Sequence, residues 1–240
     1  MIGTMIIQGD SSLITDKQVV PIVIFVLLFG FFLLIVILVT IIKRARAQER
    51  TRQLQKAASD LGLTFVETMP LESIPNLEKF LLFNQGHSKS IRNMMSGQID
   101  GVKATVFDYQ YTTGGGKNST TYHQSVAYFE LPEVNLPYFS LRPEYPIHKL
   151  MSAFGYQDID FGNHPEFSRK YLLRGPDEQA VRNTFSDAML AYYERDQITC
   201  TDGGGHQLFV FRHNQRATPQ QIRGLITWAA AVRNVFAHRW

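Results

Sequence analysis

Apolar positions along this chain follow two regimes that part near Lys43. From Val19 to Ile42 they are continuous, a run of 24 residues without a charge, interrupted only by Pro21, Gly30 and Thr40. As a helix this run reaches about 36 Å, against a hydrocarbon core of about 30 Å, and buried helices of soluble proteins seldom hold more than about 14 such residues in a row. The run therefore predicts a transmembrane helix over 19–42, preceded by a short tail over 1–18. A cleaved signal peptide would need a basic leader, an apolar stretch of about 7–15 residues and a small-residue cleavage site. Here the leader carries Asp10, Asp16 and Lys17, and the run ends in Lys43-Arg44-Ala45-Arg46, a stop-transfer flank.

Past Lys43 the apolar positions become periodic. Lys43–Ser59 is built from good helix formers, and Leu54, Ala57, Ala58 and Leu61 recur at helical spacing, with Gly62 where a helix-ending residue belongs. This predicts a basic juxtamembrane helix over 43–62, continuous with the span or separate from it.

Beyond Leu63 the period shortens to two. Val102–Thr113 and Thr121–Leu131 are rich in β-branched and aromatic residues and flank the turn formers of 114–120, which predicts a long hairpin. Alternation puts Phe107, Tyr109 and Tyr111 on one face of the first strand and Val106, Asp108 and Gln110 on the other. Ile91–Ile99 pairs alongside through the Asp100-Gly101 turn. A second hairpin is predicted from Gln197–Thr201 and Gln207–His213, turning at Asp202-Gly203-Gly204-Gly205. Helical signals mark Ile74–Leu82, Pro146–Phe154, Asp177–Tyr193 and Pro219–Ala237. Asp177 and Glu178 sit at a helix start favoured by the dipole, and Thr218-Pro219 has the order of a helix N-terminus. Strands joined by short turns with helices between them define an α+β domain over 63–240, with an antiparallel sheet and flanking helices. Four prolines between 132 and 146 make that crossing irregular and mark a candidate subdivision.

Charge then adds an orientation. The chain is net +3, but residues 43–56 alone are net +5, whereas 57–240 hold 17 Lys+Arg against 18 Asp+Glu. Lys43, Arg44, Arg46, Arg50 and Arg52 are thus a membrane flank, which by the positive-inside rule leaves the N-terminus outside and the domain in the cytoplasm. They are also candidates to attract anionic lipid head groups. A near-neutral domain argues against nucleic acid as a partner. One cysteine excludes a disulfide framework.

No assembled catalytic set emerges. Gly114-Gly115-Gly116-Lys117-Asn118-Ser119 lacks the first glycine of a phosphate-binding loop, has Asn118 where Ser or Thr belongs, and connects strand to strand. Cys200 and His206 flank a glycine turn without a third orienting group, so a small residue filling a strand is the simpler reading. Seven histidines include no closely spaced ligand pair. Asp158 and Asp160, which share a side if extended, are followed by His164, and these three are the candidates for a hydrolase-like site. Tyr109, Tyr111 and Lys117 are candidate contacts for a partner, although one-sided burial of Phe107, Tyr109 and Tyr111 against the domain's own helices is the simpler reading of the aromatic spacing. The reading assigns no metal, no cofactor and no catalytic residue.

Two stretches carry a resemblance. Phe107-Asp108-Tyr109-Gln110-Tyr111-Thr112-Thr113-Gly114, with Lys117 and Gln124-Ser125-Val126-Ala127, resembles a pattern in an uncharacterised bacterial family of single-span membrane-anchored proteins. So does Pro165-Glu166-Phe167-Ser168, with Tyr171-Leu172-Leu173-Arg174-Gly175 and Asp177-Glu178-Gln179-Ala180-Val181-Arg182. The resemblance implies a bacterial inner-membrane protein with a cytoplasmic domain of unknown function, and it carries over no catalytic residue. The expectation is a single-pass protein spanning the lipid bilayer and presenting its domain to a ligand, or to protein partners in the membrane or cytoplasm.

Overall fold

The computed structural model describes residues 16–144, 157–195 and 199–237, with side chains from Val20 onward. The chain divides into two compact units, Met1–Glu49 and Arg50–Trp240. Helix α1, Asp16–Asp60, begins in the first and ends in the second. Its most apolar stretch has a mean hydropathy of 3.6 and is nowhere buried against protein. That long apolar helix anchors the chain in a membrane. The Thr40 hydroxyl donates to the Val36 carbonyl at 2.8 Å, so the polar group within the run is satisfied inside the helix. The helix starts at Asp16, so Pro21 lies in its second turn.

In the second unit α1 ends as Gly62 foretold. Gly62 adopts φ 69°, and the amides of Gly62 and Leu63 donate back to Ser59 and Ala58 at 3.1 and 2.8 Å, a Schellman closure. Leu54 and Ala58 are fully buried.

An eight-stranded antiparallel sheet follows, in the order β1-β2-β3-β4-β8-β7-β5-β6. Its strands are β1 (Thr64–Met69), β2 (His87–Ile99), β3 (Val102–Thr113), β4 (Thr120–Glu130), β5 (Leu136–Pro143), β6 (Tyr171–Arg174), β7 (Cys200–Gly205) and β8 (Gln207–Phe211). Asp100 and Gly101, at φ 51° and 82°, turn β2 into β3, and both central residues lie in the left-handed region that a two-residue hairpin loop demands. The β3–β4 hairpin closes at Thr113 opposite Thr120, within one residue of expectation.

The second glycine-rich hairpin departs from expectation. β7 runs straight through the glycines, pairing Gly203 with Leu208 on β8 and with Phe139 on β5. A Cβ on Gly203 would overlap the Phe139 ring, and one on Gly204 the Tyr138 ring. The glycines are therefore flat strand positions under two aromatic rings, and only Gly205, at φ 56°, has turn geometry. β5 itself lies inside the irregular crossing at 132–146, as an interior strand. Pro137 falls at the register break between Leu136 and Phe139, and Pro143 is the last residue, two places where a missing N–H costs no ladder bond.

Helices show similar differences. Ile74–Leu82 forms short 3₁₀ turns and then α2 (Leu81–Asn84), because Ile74 is extended ahead of Pro75 and Asn76 is left-handed at φ 59°. The span Asp177–Tyr193 is two helices, α4 (Glu178–Thr184) and α5 (Asp187–Arg195), separated where Phe185 turns inward among Phe139, Phe167, Tyr193 and Phe236. Asp177 caps α4 by accepting from the Ala180 amide at 2.9 Å. Helix α3 (Pro165–Lys170) precedes β6, and α6 (Ile222–Ala237) follows a capping box between Thr218 and Gln221. The expected helix Pro146–Phe154 and part of the strand Gln197–Thr201 lie outside the described residues.

Both sheet faces are covered. The end of α1 packs with helical segments α3–α6 against Val106, Ala127, Phe129 and Val210. The segment 71–84 covers Phe107, Tyr109, Tyr111, Tyr128, Phe209 and Phe211 on the opposite face. Each face also holds a buried ion pair. On the first, Arg50 grips Asp108 with two bonds of 2.8 Å and donates to the Ala217 carbonyl at 2.9 Å, while Asn93 and Ser125 donate to the same carboxylate. On the second, Arg142 grips Asp202 at 2.5 and 2.8 Å, and the Leu82 amide donates to Asp202 at 2.9 Å.

His213 stacks beside Tyr122 on this second face, 5.1 Å between centroids. Burial, and then the Arg142 charge, holds its imidazole below the usual histidine range. Such a group binds fewer protons folded than unfolded, so its contribution is complete above about pH 6.5 and is lost progressively as pH falls from there through the lower folded-state value. Melting temperature should therefore drop between pH 7.5 and pH 5, with a shallower slope in His213→Gln.

Candidate functional site

The residues singled out from the sequence are placed as follows. Tyr109 and Tyr111 are 0% and 1% exposed, so they are core and present no contact face. Burial pushes both phenols well above the ordinary tyrosine range. Lys117 is exposed in the turn Gly116–Asn118 at the tip of the β3–β4 hairpin. Lys43, Arg44, Arg46 and Arg52 are exposed, whereas Arg50 is spent internally on Asp108.

Asp158, Asp160 and His164 serve separate local structures. One Asp158 oxygen accepts the amides of Ile159 and Leu173 at 3.0 and 2.8 Å, pinning the incoming loop to β6, and burial raises its pKa. Asp160 offers its main-chain carbonyl to Arg182 at 2.6 Å. His164 faces Glu194 at 3.2 Å and Asp187 at 3.4 Å. No group of three His, Cys, Asp or Glu side chains placed to hold a metal ion occurs among the described residues. The Cys200 thiol is buried and pushed up to about 11, the wrong direction for a nucleophile. His206 points instead to the Val134 carbonyl at 2.7 Å.

Where the surface does become concave, it does so around Tyr138. Three depressions, of about 350, 630 and 480 Å³, share this residue as a common wall. The first opens between the 71–84 segment and the β5–β6 edge, with Lys79, Leu81, Asn84, Ser140 and Arg174 around it. In the second, the start of β5 faces Ala180, Asn183 and Met189 of α4 and α5, and Phe236 of α6. The third lies over Gly204 and Gly205, bounded by Pro75, Tyr128 and His206.

Local geometry explains the arrangement. Gly204 lets the Tyr138 ring lie against the strand, and Phe80 supports it from the side, 5.5 Å between centroids. The Lys79 ammonium stands 5.5 Å from the ring centroid. The Ser140 hydroxyl, buried at the first depression, has no protein hydrogen-bond partner. The walls are mainly apolar and aromatic, with a hydroxyl inside and cations at the rim, a composition suited to an extended amphipathic ligand or a chain segment. Sequence reasoning passed over Tyr138 because it sits among prolines; the one available signal was a Tyr-Phe pair matched by three successive glycines elsewhere.

Fold and site together define a membrane-anchored α+β protein with three depressions that share one aromatic wall, and with no assembled catalytic group among the described residues. No protein-family model and no curated relative matches this chain. Among solved structures, its fold is similar to that of the mycobacterial trehalose monomycolate transport factor A, TtfA, with a TM-score of 0.50 and 12% identity over 78% of this chain and 95% of that one. At that identity the similarity is one of fold.

Proposed function

We propose that this protein is a single-pass bacterial inner-membrane factor whose cytoplasmic domain binds a partner or an amphipathic ligand in the groove around Tyr138. The observation that carries the reading is the meeting of three depressions on one aromatic side chain held in place by Gly204. A fold shared with a protein described as a transport factor supports a binding or accessory role in transport. The +5 flank over 43–56 supports the orientation. An alkaline phosphatase fused after the last residue should be inactive in a bacterial host, and an active fusion sinks that orientation.

The groove has its own test. A photo-crosslinking residue at exposed Pro176, which borders two of the depressions, should yield adducts in native membranes. Tyr138→Ala should reduce them at least severalfold, in the range of an aromatic anchor lost from an interface. Gly204→Val should act similarly by displacing the ring. Adducts forming from Lys117 and not from Pro176 would move the interaction to the hairpin tip and defeat the proposal.

A further inference from the structure

Away from Tyr138, a cavity of about 410 Å³ lies where the loop after β8 meets the start of α6. Arg212, Gln215, Arg216, Gln220 and Trp228 line it, together with Gly224. All five side chains offer N–H donors. The Arg212 guanidinium stacks 4.5 Å above the Trp228 ring, which orients its fork, and the buried indole N–H of Trp228 has no protein acceptor.

Arg216 donates to His123 Nδ1 at 2.5 Å, so this imidazole nitrogen is an acceptor. Burial, then the Arg216 charge, keeps that imidazole below its usual range. Asp108 attracts the Arg216 charge while it is also gripped by Arg50, and Glu67 pairs with Arg92. Two guanidinium groups beside a cavity lined with N–H donors favour an anion, and guanidinium forks match phosphate oxygens in geometry.

We propose that this cavity binds a phosphate group, carried either by a phospholipid head group or by a soluble phosphorylated ligand. The membrane anchor makes phospholipids one source that this molecule always meets. The neighbouring Gly224 gives access: a Cβ there would meet nothing within 4 Å, so the helix presents open space to the cavity.

Calorimetric titration of the detergent-solubilised full chain, with inorganic phosphate and separately with dihexanoyl phosphatidic acid, tests the assignment. Saturable binding of at least one probe is expected. Tighter binding of the lipid identifies a head-group site, and equal or tighter binding of phosphate a soluble ligand. Arg216→Gln removes an exposed cation, and Gly224→Phe fills the opening without touching the core; both should keep the wild-type melting temperature. Each should weaken binding about tenfold or more, the loss of a charge-assisted contact. Failure of both probes to saturate, or wild-type affinity in either folded variant, overturns the proposal.

Discussion

Asp202→Ala is expected to destabilise the sheet domain by about 3–5 kcal/mol, the range for removing one partner of a buried ion pair. Asp202 is 0% exposed and accepts three hydrogen bonds, two from Arg142 and one from the Leu82 amide. Among the described residues the guanidinium then keeps the Leu141 carbonyl and the Phe211 ring, and the amide that fixes α2 to the sheet loses its acceptor. The cost comes from a stranded charge more than from a lost attraction. Arg142→Met combined with Asp202→Leu should therefore recover much of it. Denaturant unfolding of the full chain in detergent measures both. A single-variant loss below about 1 kcal/mol would mean that water reaches the pair and the burial argument fails.

Truncating Tyr109 to alanine should cost a similar amount, about 3–5 kcal/mol for a large aromatic removed from a packed core. Its ring meets Phe83 edge-on at 4.8 Å and stacks on Tyr111 at 5.8 Å, so both van der Waals contact and apolar burial are lost. Tyr109→Phe separates ring from hydroxyl. That hydroxyl is buried without a protein hydrogen-bond partner, so its removal should leave stability unchanged or raise it. A surface contact role would give the opposite pattern, with melting temperature indifferent to either change. Two thermal melts beside the parent distinguish these outcomes.

The parts of this fold legible in the sequence are those determined by near neighbours. Alternation in Val102–Thr113, the Asp100-Gly101 turn and the Gly62 stop each work over a few residues, and each appears where expected. What escaped depends on distant partners. Gly203 and Gly204 are turn formers by composition, but the rings of Tyr138 and Phe139 make them strand. Pro137 and Pro143 disguised an interior strand whose register break and end absorb them. Arg50 read as one more flank cation because Asp108 is 58 residues away. Asp158, Asp160 and His164 drew attention by proximity along the chain, yet each is occupied by a different neighbour. The groove around Tyr138 was least legible of all, since its walls come from five separate stretches of chain.

The last turns of α1 give the molecule an unexpected seam. The apolar run ends at Ile42, but Arg50, Leu54 and Ala58 belong to the interior of the following unit. A cut between Lys43 and Glu49 is expected to leave Leu54, Ala58 and the Arg50–Asp108 pair in place, whereas a cut just after Asp60 removes part of that core and the guanidinium that neutralises Asp108. Any version of this domain separated from its anchor therefore has to start upstream of Arg50, because the helix that reads as a tether is also part of the core it tethers.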